Sequence, residues 1–178
     1  MTRDAVIVRD ARPDELAEVG EIRVAAYRAD GFVSPDSGYA PILRDLGRNG
    51  DGTVLVAVAG PDDRRILGTV MLQPWPDAGQ VVAGPDEAEI RALAVVPEAR
   101  GRGAGDALLR AVIERAAQQG VRHLVLLTQP EMAVAQRLYQ RAGFRRLPDR
   151  DWSPVPGVTL LAYGLTLAAG RPAGPLLA

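Results

Sequence analysis

A strand, a glycine-rich loop, a helix and a second strand in immediate succession constrain the fold of this chain more than any other feature. The segments AEIRALAVV (88–96) and RHLVLLT (122–128) are apolar runs of strand length. Between them, AGDALLRAVIERAAQQ (104–119) carries apolar residues at helical spacing and ends before Gly120. Because a connecting helix crosses over the sheet, the two strands are predicted to be parallel neighbours.

The segments on both sides of this unit predict one mixed α/β domain over residues 1–168. Further strands are predicted at 5–10, 53–59, 66–73 and 158–167, and further helices at 15–29 and 131–142. Asp14 is the predicted N-cap of the first helix, and the last helix follows Pro130. No strand is predicted in the proline-rich stretch 148–157, and residues 169–178 are predicted to form a flexible tail.

The composition excludes several classes of function. Hydrophobic residues make up 47% of the 178 residues and charged residues 24%, which is typical of a compact globular domain. The chain has no cysteine, one histidine (His123) and no lysine among its 21 basic residues, so thiol, metal-cluster and Schiff-base chemistry are poorly supplied. A net charge of −1 argues against nucleic acid as a partner. Without a membrane-length apolar run or a signal-peptide pattern, the sequence predicts no membrane contact and a cytoplasmic location.

The loop between the first strand and the helix of this unit is a predicted anion-binding site. Its sequence RGRGAG (100–105) places three glycines before the positive N-terminal end of the helix, where backbone N–H groups are free. Arg100 and Arg102 can add charge-assisted hydrogen bonds, so a pyrophosphate is the ligand that suits the loop. An ordinary turn with solvated arginines is the alternative interpretation. The dinucleotide pattern G-x-G-x-x-G is not matched.

Two motifs at separate positions give the chain a resemblance to the GCN5-related N-acetyltransferases. The first motif has Arg or Gln, two residues, Gly, any residue, and then Gly or Ala, and it is met by Arg100, Gly103 and Gly105. The second, A-x-x-L-Y-x-x-x-G-F, is met by Ala135, Leu138, Tyr139, Gly143 and Phe144. The resemblance implies a mixed, mostly antiparallel sheet flanked by helices, with one splayed pair of parallel strands. It also implies acetyl-coenzyme A as cosubstrate, no metal, and a small-molecule or peptide amine as acceptor.

The resemblance assigns the coenzyme site to the first strand of the unit and the loop after it. Leu93, Ala94 and Val95 would pair through their backbone with the pantetheine arm. The loop residues would hold the pyrophosphate: Arg100, Gly101, Arg102, Gly103, Ala104 and Gly105. Met132 departs from the family pattern, because many members carry an asparagine at this position that touches the coenzyme.

An amine acceptor requires a base, and the leaving thiolate requires an acid. An alkylamine with a pKa of about 10.4 is almost fully protonated at neutral pH and must lose that proton before it attacks. By the resemblance, Glu89 is the first candidate for the base and Glu87 the second, while Tyr139 occupies the position of the general acid. The alternatives are a solvated or arginine-paired carboxylate and a tyrosine that only packs in the core.

The resemblance assigns the acceptor site to the first two helices and the loops beside the splayed strands. The aromatic side chains of these segments are the predicted walls: substrate-binding Tyr27, Phe32 and Tyr39, and also Trp75 and Trp152. Carboxylates in the same segments, including Asp30, could attract a cationic amine. The identity of the amine and the oligomeric state, including a homodimer, stay open. The alternative function is that of an acyl-coenzyme A sensor or a catalytically degenerate partner domain.

Overall fold

The structure, a computed structural model, describes residues 5–60 and 64–168. Eight strands lie in this part of the chain: β1 Val6–Asp10, β2 Thr53–Ala59, β3 Ile66–Pro74, β4 Glu87–Val95, β5 His123–Thr128, β6 Arg145–Arg146, β7 Trp152–Val155 and β8 Val158–Thr166. The same residues contain four α-helices: α1 Leu16–Ala29, α2 Tyr39–Asp45, α3 Ala104–Gln118 and α4 Ala133–Arg141. Each strand and helix given bounds by the sequence lies within two residues of those bounds. The predicted tail, 169–178, lies outside the described residues.

The strands form one sheet with a single parallel pair among the described residues. The order is β1-β2-β3-β4-β5-β8-β6, and β7 pairs with β8 beside this path. β4 and β5 are the parallel pair, joined by the α3 crossover as predicted, while the other pairings are antiparallel. The predicted fold class, a mixed and mostly antiparallel sheet flanked by helices, is confirmed.

β4 and β5 separate part of the way along their length. Their register ends at Ile90 opposite Leu126, although β4 continues to Val95. A bulge follows in β4, where Ala92 has a φ of 52° and the register with β3 shifts. Bulges bend a strand and increase its twist. The far half of β4 therefore presents a backbone edge without a strand partner.

The core lies in two layers, one on each face of the sheet. On one face, α3 buries Leu108 and Val112 against strand residues such as Leu124. On the other face, α1 and α2 bury a second apolar cluster that includes Val24 and Leu43. The clusters stay separate because successive side chains of a strand point to opposite faces of the sheet. The splayed end of β4 is therefore reachable from both layers.

The proline-rich stretch 148–157 contains a strand that the sequence did not predict. β7 lies in this stretch and forms a hairpin with β8. Pro154 is tolerated because β7 pairs with β8 alone, and an edge strand accommodates a missing N–H. Proline content is therefore a poor guide to strands at the edge of a sheet.

The first helix is preceded by a different arrangement from the predicted Asp14 cap. Asp14 lies inside a 3₁₀ turn, Pro13–Glu15, that leads into α1. The N-cap of α1 is Glu15, which makes no side-chain cap to the helix; its carboxylate instead accepts the Arg12 N–H at 2.8 Å and pairs with Arg9 at 2.7 Å. The hydrogen bond from Arg9, with help from the Arg12 N–H, lowers the pKa of Glu15 to about 2 against the opposing effect of burial. The Glu15 carboxylate, which reaches back along the chain to the Arg12 N–H, therefore stabilises the segment before α1 in place of an N-cap side chain.

Candidate active site

A groove with a volume of about 1050 Å³ opens at the splayed end of β4. Its walls come from the end of α1, the far half of β4, the loop before α3 and the start of α4. Eight of the nine residues predicted to bind the coenzyme line it: Leu93, Ala94, Val95, Arg100, Gly101, Gly103, Ala104 and Gly105. Arg102 is exposed and lies outside the lining, so its side chain faces solvent instead of the groove.

The loop before α3 has the backbone of an anion site. Gly101 and Gly103 have φ angles of 74° and 84°, in the left-handed region that favours glycine. A Cβ atom on either residue would meet nothing within 4 Å, so the space beside the backbone is open. Gly103 is the N-cap of α3 and brings no side chain, which leaves the first N–H groups of the helix uncapped. These N–H groups and the helix dipole fit a pyrophosphate.

Arg100 pairs with an acidic residue that also lines the groove. Its Nη1 and Nη2 donate to the two carboxylate oxygens of Asp30 at 2.7 and 2.9 Å. Such a two-bond pair orients a guanidinium firmly, although both side chains are partly exposed here. The sequence suggested that Asp30 could attract a cationic amine. In the structure its carboxylate is instead paired with Arg100.

The wall formed by α4 starts two residues later than predicted, with Met132 as the N-cap. The Met132 sulfur accepts the Thr128 hydroxyl at 3.6 Å, so a thioether lines the groove where an asparagine amide is usual. Gln136, which the sequence analysis did not single out, donates to the carbonyl oxygens of Gln129 and Pro130 at 2.9 and 3.1 Å. These two bonds hold the chain where it enters the helix.

Tyr139, the predicted general acid, lies beneath the groove. The residue is 7% exposed and is absent from the groove lining, which includes its neighbour Leu138. Its ring packs against those of Phe144 and Tyr163 at centroid distances of 5.9 and 6.5 Å. Burial raises the pKa of the Tyr139 hydroxyl, which therefore stays protonated at neutral pH. This placement is compatible with proton donation and with packing alone.

Tyr27 and Phe32 are the predicted acceptor residues that line the groove. Burial raises the pKa of Tyr27, and the hydroxyls of Tyr39 and Tyr139 raise it further, so both lie within electrostatic range of Tyr27. The remaining predicted aromatic walls are exposed and lie outside the lining: Tyr39, Trp75 and Trp152. They belong to a short helix, a loop and an edge strand, none of which covers the splayed end of β4.

Glu89, the first candidate for the base, is buried in β4 with 5% exposure. Its Oε2 accepts the N–H of Gly79 at 3.0 Å, and its Oε1 lies 3.9 Å from the Nε of Arg91. Burial raises the pKa of Glu89 despite the opposing effects of Arg91 and the Gly79 N–H. A carboxylate with a raised pKa is a stronger base than an exposed one.

Glu87, the second candidate, is engaged at the other end of β4. It accepts hydrogen bonds from the N–H of Ala83 at 2.8 Å and from Arg150 at 3.0 Å, and His123 Nδ1 lies 3.0 Å from its Oε1. Burial pushes the pKa of Glu87 upward, but the three partners together outweigh burial and lower it. Neither carboxylate is in the groove lining, and the raised pKa of Glu89 makes it the more basic of the two.

Arg91 joins Glu89 to a polar chain that the sequence analysis missed. Arg91 Nη1 donates to the side-chain oxygen of Gln73 at 2.9 Å, and the Gln73 amide donates to Asp51 at 2.8 Å. Gln73 is buried in β3 directly opposite Glu89. Glu89 and Arg91 are two residues apart in β4 and therefore point to the same face of the sheet. This spacing is the sequence signal that could have linked them. Asp51 and Gln73 carry no comparable signal.

A second arginine, Arg23 of α1, is fully buried. Its Nη1 donates to the carbonyl oxygens of Leu43 and Leu46 at the end of α2, at 3.3 and 2.7 Å. Its Nε and Nη2 have no hydrogen-bond partner among the described residues. Burial, and to a lesser extent the charge of Arg91, lowers the pKa of Arg23 to about 10, so the guanidinium keeps its charge at neutral pH.

Across residues 5–60 and 64–168, no three metal-ligating side chains cluster. Nor does that part of the chain contain a helix long and apolar enough to span a membrane.

Comparison with known proteins defines the family. The acetyltransferase (GNAT) family matches residues 16–144, more than half of the chain, which therefore belongs to this family of acetyltransferases, as its two motifs predicted. Acetyl-coenzyme A is the acetyl donor of the family. Over 92 residues the chain is 35% identical to the mycothiol acetyltransferase of Kocuria rhizophila, a match that covers 52% of this chain and 29% of that protein. The chain thus spans less than a third of the length of this relative.

Solved structures share the fold. A GNAT-family acetyltransferase from Staphylococcus aureus has a TM-score of 0.71 and 20% identity, covering 92% of this chain and 100% of that one. Phosphinothricin acetyltransferase from Sinorhizobium meliloti, solved in complex with acetyl-coenzyme A, has a TM-score of 0.68 and 20% identity, covering 96% and 93%. At such identities the likeness shows the fold alone.

Proposed function

We propose that this chain transfers the acetyl group of acetyl-coenzyme A directly to a primary amine of a small molecule or peptide. One observation carries the proposal: the free edge of β4, the glycine loop before α3 and the start of α4 meet in a single groove. The proposed base, Glu89, belongs to the same strand as that free edge. Binding groups and a base therefore occur on one rigid element of the sheet.

Backbone atoms supply most of the proposed coenzyme contacts. From Arg91 to Val95, the side of β4 that faces away from β3 has no strand partner, so an extended pantetheine arm can pair with it as an added strand would. The loop N–H groups, the N-terminus of α3 and Arg100 would hold the pyrophosphate. Bound acetyl-coenzyme A supplies the acetyl group as an activated thioester. The protein has only to place that group and to manage protons.

Glu89 is the proposed general base. Deprotonating an amine with a pKa of about 10.4 near pH 7.4 costs about 4 kcal/mol, so a proton acceptor at the amine has a large effect. The burial of Glu89 and its bond to the Gly79 N–H keep the carboxylate in one orientation. Its raised pKa brings it nearer to the amine in basicity. The proton passes from the amine to the carboxylate as the nitrogen attacks.

Tyr139 is the proposed proton donor for the leaving sulfur. Its hydroxyl is protonated at neutral pH because burial raises its pKa. Tyr27 is the competing candidate, since it lines the groove, its pKa is raised in the same way, and its hydroxyl is within electrostatic range of Tyr139. The two tyrosines come from different helices, α4 and α1, and can be tested separately.

Direct transfer is proposed because the chain has no cysteine and offers no obvious nucleophile to form an acetyl-enzyme. The proposal is tested by incubating the full chain with acetyl-coenzyme A and a panel of amines while free thiol is measured. With the best amine, initial rates at varied concentrations of both substrates should give intersecting double-reciprocal lines. Parallel lines together with an isolable acetyl-enzyme would refute direct transfer, and no thiol release with any amine would refute the enzyme.

One observation favours a second function, that of an acyl-coenzyme A sensor or degenerate partner domain. Met132 lines the groove without the amide that the family pattern usually provides there. A sensor should bind acetyl-coenzyme A, with a rise in melting temperature, and release no thiol beyond the rate without protein. Met132→Asn should restore turnover if the missing amide is the cause.

A further inference from the structure

Arg91 lies beside the proposed base with part of its guanidinium free. Its side chain is 23% exposed. Within the described residues, the hydrogen bond of Arg91 is made by Nη1 to Gln73, and Nη2 stays open to solvent. A guanidinium presents donors in a planar fork that matches a carboxylate, so the free side of Arg91 is a ready binding group for an acid.

No carboxylate of the described residues hydrogen-bonds to Arg91. The Oε1 of Glu89 stands 3.9 Å from its Nε, beyond hydrogen-bond range, and the other oxygen of Glu89 accepts the Gly79 N–H. Asp51 reaches Arg91 only through the Gln73 amide. The charge of Arg91 is therefore available to an anion that enters the site.

The buried guanidinium of Arg23 is a second, independent observation. It is 0% exposed, and its Nε and Nη2 have no partner among the described residues. A buried charge without a counter-charge is unfavourable. The charges of both arginines lower the pKa of Tyr27 against the effect of burial, so both lie within electrostatic range of this groove-lining residue, although neither lines the groove itself. Arg91 has one carboxylate nearby, Glu89 at 3.9 Å, and Arg23 has no carboxylate hydrogen-bonded to it among the described residues, so an anion there would add a favourable charge interaction with both arginines.

We infer that the acceptor carries an acidic group beside its amine, and that Arg91 binds this group. The inference rests on the proposed function, since it names the substrate class of the same site. Glu89 and Arg91 stand two residues apart on one face of β4, and their charged groups are close together, with Glu89 Oε1 3.9 Å from Arg91 Nε. A compact amino acid can therefore place its amine at Glu89 and its carboxylate at Arg91. Arg91 determines specificity, and Arg23 strengthens the positive potential from behind without touching the ligand.

The test measures whether the protein distinguishes amines with and without a carboxylate. The probes are glycine, alanine, aspartate and glutamate, each paired with its α-amide, titrated calorimetrically into the full chain with coenzyme A present. We expect at least one acid to bind roughly tenfold more tightly than its amide. Arg91→Gln should abolish this ratio, and Arg91→Lys should keep part of it, because lysine retains the charge without the fork. Arg110→Gln, an exposed position on α3, is the matched control and should leave the ratio unchanged.

Several results would overturn the inference: equal affinity for acid and amide in every pair, no binding by any acid, or an acid preference that survives in Arg91→Gln. If Arg91→Gln fails to fold, Arg91→Lys decides, since an unchanged ratio there also overturns it. Binding is measured without acetyl transfer, so the two proposals fail separately. If acids bind more tightly than amides but no amine is acetylated, the proposed acetyl transfer is refuted and the binding of an acidic ligand by Arg91 stands. If amides are acetylated in preference to acids, the acetyl transfer stands and the acidic acceptor is refuted.

Discussion

The proposed coenzyme side and the proposed acceptor side of the site are built in different ways. The proposed coenzyme side comes from one stretch of chain, 93–141, in which the far half of β4, its loop, α3 and α4 follow in order, and three of its lining residues are glycines without side chains. The proposed acceptor side depends on side chains that are distant in sequence: Tyr27 lines the groove, while Glu89, Arg91, Gln73 and Asp51 form a polar chain outside its lining. Backbone contacts survive most side-chain substitutions, whereas a side-chain network changes with any one of its members. The first construction suits a ligand common to a family, and the second suits an acceptor particular to this chain.

Glu89→Gln should have the largest effect and tests the acceptor side. The amide oxygen can still accept the Gly79 N–H, so the fold is kept while the base is lost. We expect kcat/KM to fall by about 10²–10⁴-fold. Glu87→Gln is the matched control, because Glu87 binds His123 and Arg150 away from the splayed end and should affect stability more than turnover. An equal loss of kcat/KM in both variants would contradict the assignment.

The same two carboxylates predict opposite effects of pH. Because the pKa of Glu89 is raised, kcat/KM of the parent should decline as pH falls through a value above the ordinary range of glutamate. Because its pKa is raised, the Glu89 carboxyl binds its proton more tightly in the folded state than in the unfolded state. It therefore contributes to the free energy of unfolding at low pH, and this contribution is lost as pH rises through the raised pKa. Glu87, with its lowered pKa, contributes stability above the ordinary glutamate pKa, and this is lost as pH falls. Melting temperatures measured across acidic pH should therefore move in opposite directions for the two variants relative to the parent, and parallel shifts would contradict one of the assignments.

Tyr139→Phe should have the next largest effect. A thiol with an ordinary pKa of about 8.5 leaves readily, so the loss in kcat should be about 10²-fold, at the low end for general acid catalysis. The ring packing against Phe144 and Tyr163 is retained, so the melting temperature should stay near that of the parent. Tyr27→Phe is the comparison, measured with chemistry rate-limiting. A larger loss of kcat in Tyr27→Phe would move the donor to α1, and no loss in either would leave Tyr139 as a packing residue.

Arg100→Gln tests the coenzyme side. Removing a charge-assisted bond to the pyrophosphate should weaken coenzyme A binding by about 10–100-fold, measured by calorimetry. Arg102→Gln is the control: Arg102 carries the same charge two residues further along the chain, but its side chain is exposed and lies outside the groove lining. This variant should weaken coenzyme A binding by no more than about 3-fold. Equal losses in the two variants would mean that net charge near the loop matters and the groove geometry does not.

Asp30→Asn should produce the smallest change, in the favourable direction. Asp30 holds Arg100 in a partly exposed ion pair, so its loss frees the guanidinium for the coenzyme. Exposed pairs contribute about 0.2–1 kcal/mol, which predicts coenzyme A binding that is about 1.5–5-fold tighter. The difference should shrink at high salt. Weaker binding in Asp30→Asn would indicate that the carboxylate orients Arg100 for the pyrophosphate.

The sequence predicted which residues of the strand and loop come together in the groove because they are close in sequence, while their binding of the coenzyme stays a prediction. The loop from Arg100 to Gly105 lies between a strand and a helix that both have strong local patterns, and Arg102 alone among the predicted coenzyme residues points away. A contiguous motif specifies the backbone conformation of the loop. A single side chain of the loop, here that of Arg102, can still point to solvent without changing that conformation.

For the proposed acceptor side, the sequence was a weaker guide to which residues reach the groove. Tyr27 and Phe32 line the groove, yet the exposed Trp75 and Trp152 do not, although all four are aromatic residues in the predicted segments. Aromatic side chains are common in cores, loops and sites alike, so residue type carries little information about position. Arg91 escaped the sequence analysis because its significance depends on Gln73 and Asp51, whose positions are set by β3 and the segment before β2.

By itself, the sequence determined the parallel strand pair, the crossover helix and the glycine turn at the start of α3, because each depends on residues within a few positions of one another. Only the tertiary structure decided that Glu89 is buried with a raised pKa while Glu87, two residues earlier, is paired with a lowered one. It also decided that Arg23 is fully buried and that two of its nitrogens have no hydrogen-bond partner among the described residues. Burial and charge pairing are set by groups that the fold brings from distant parts of the chain, so identical residue types two positions apart acquire different chemistry.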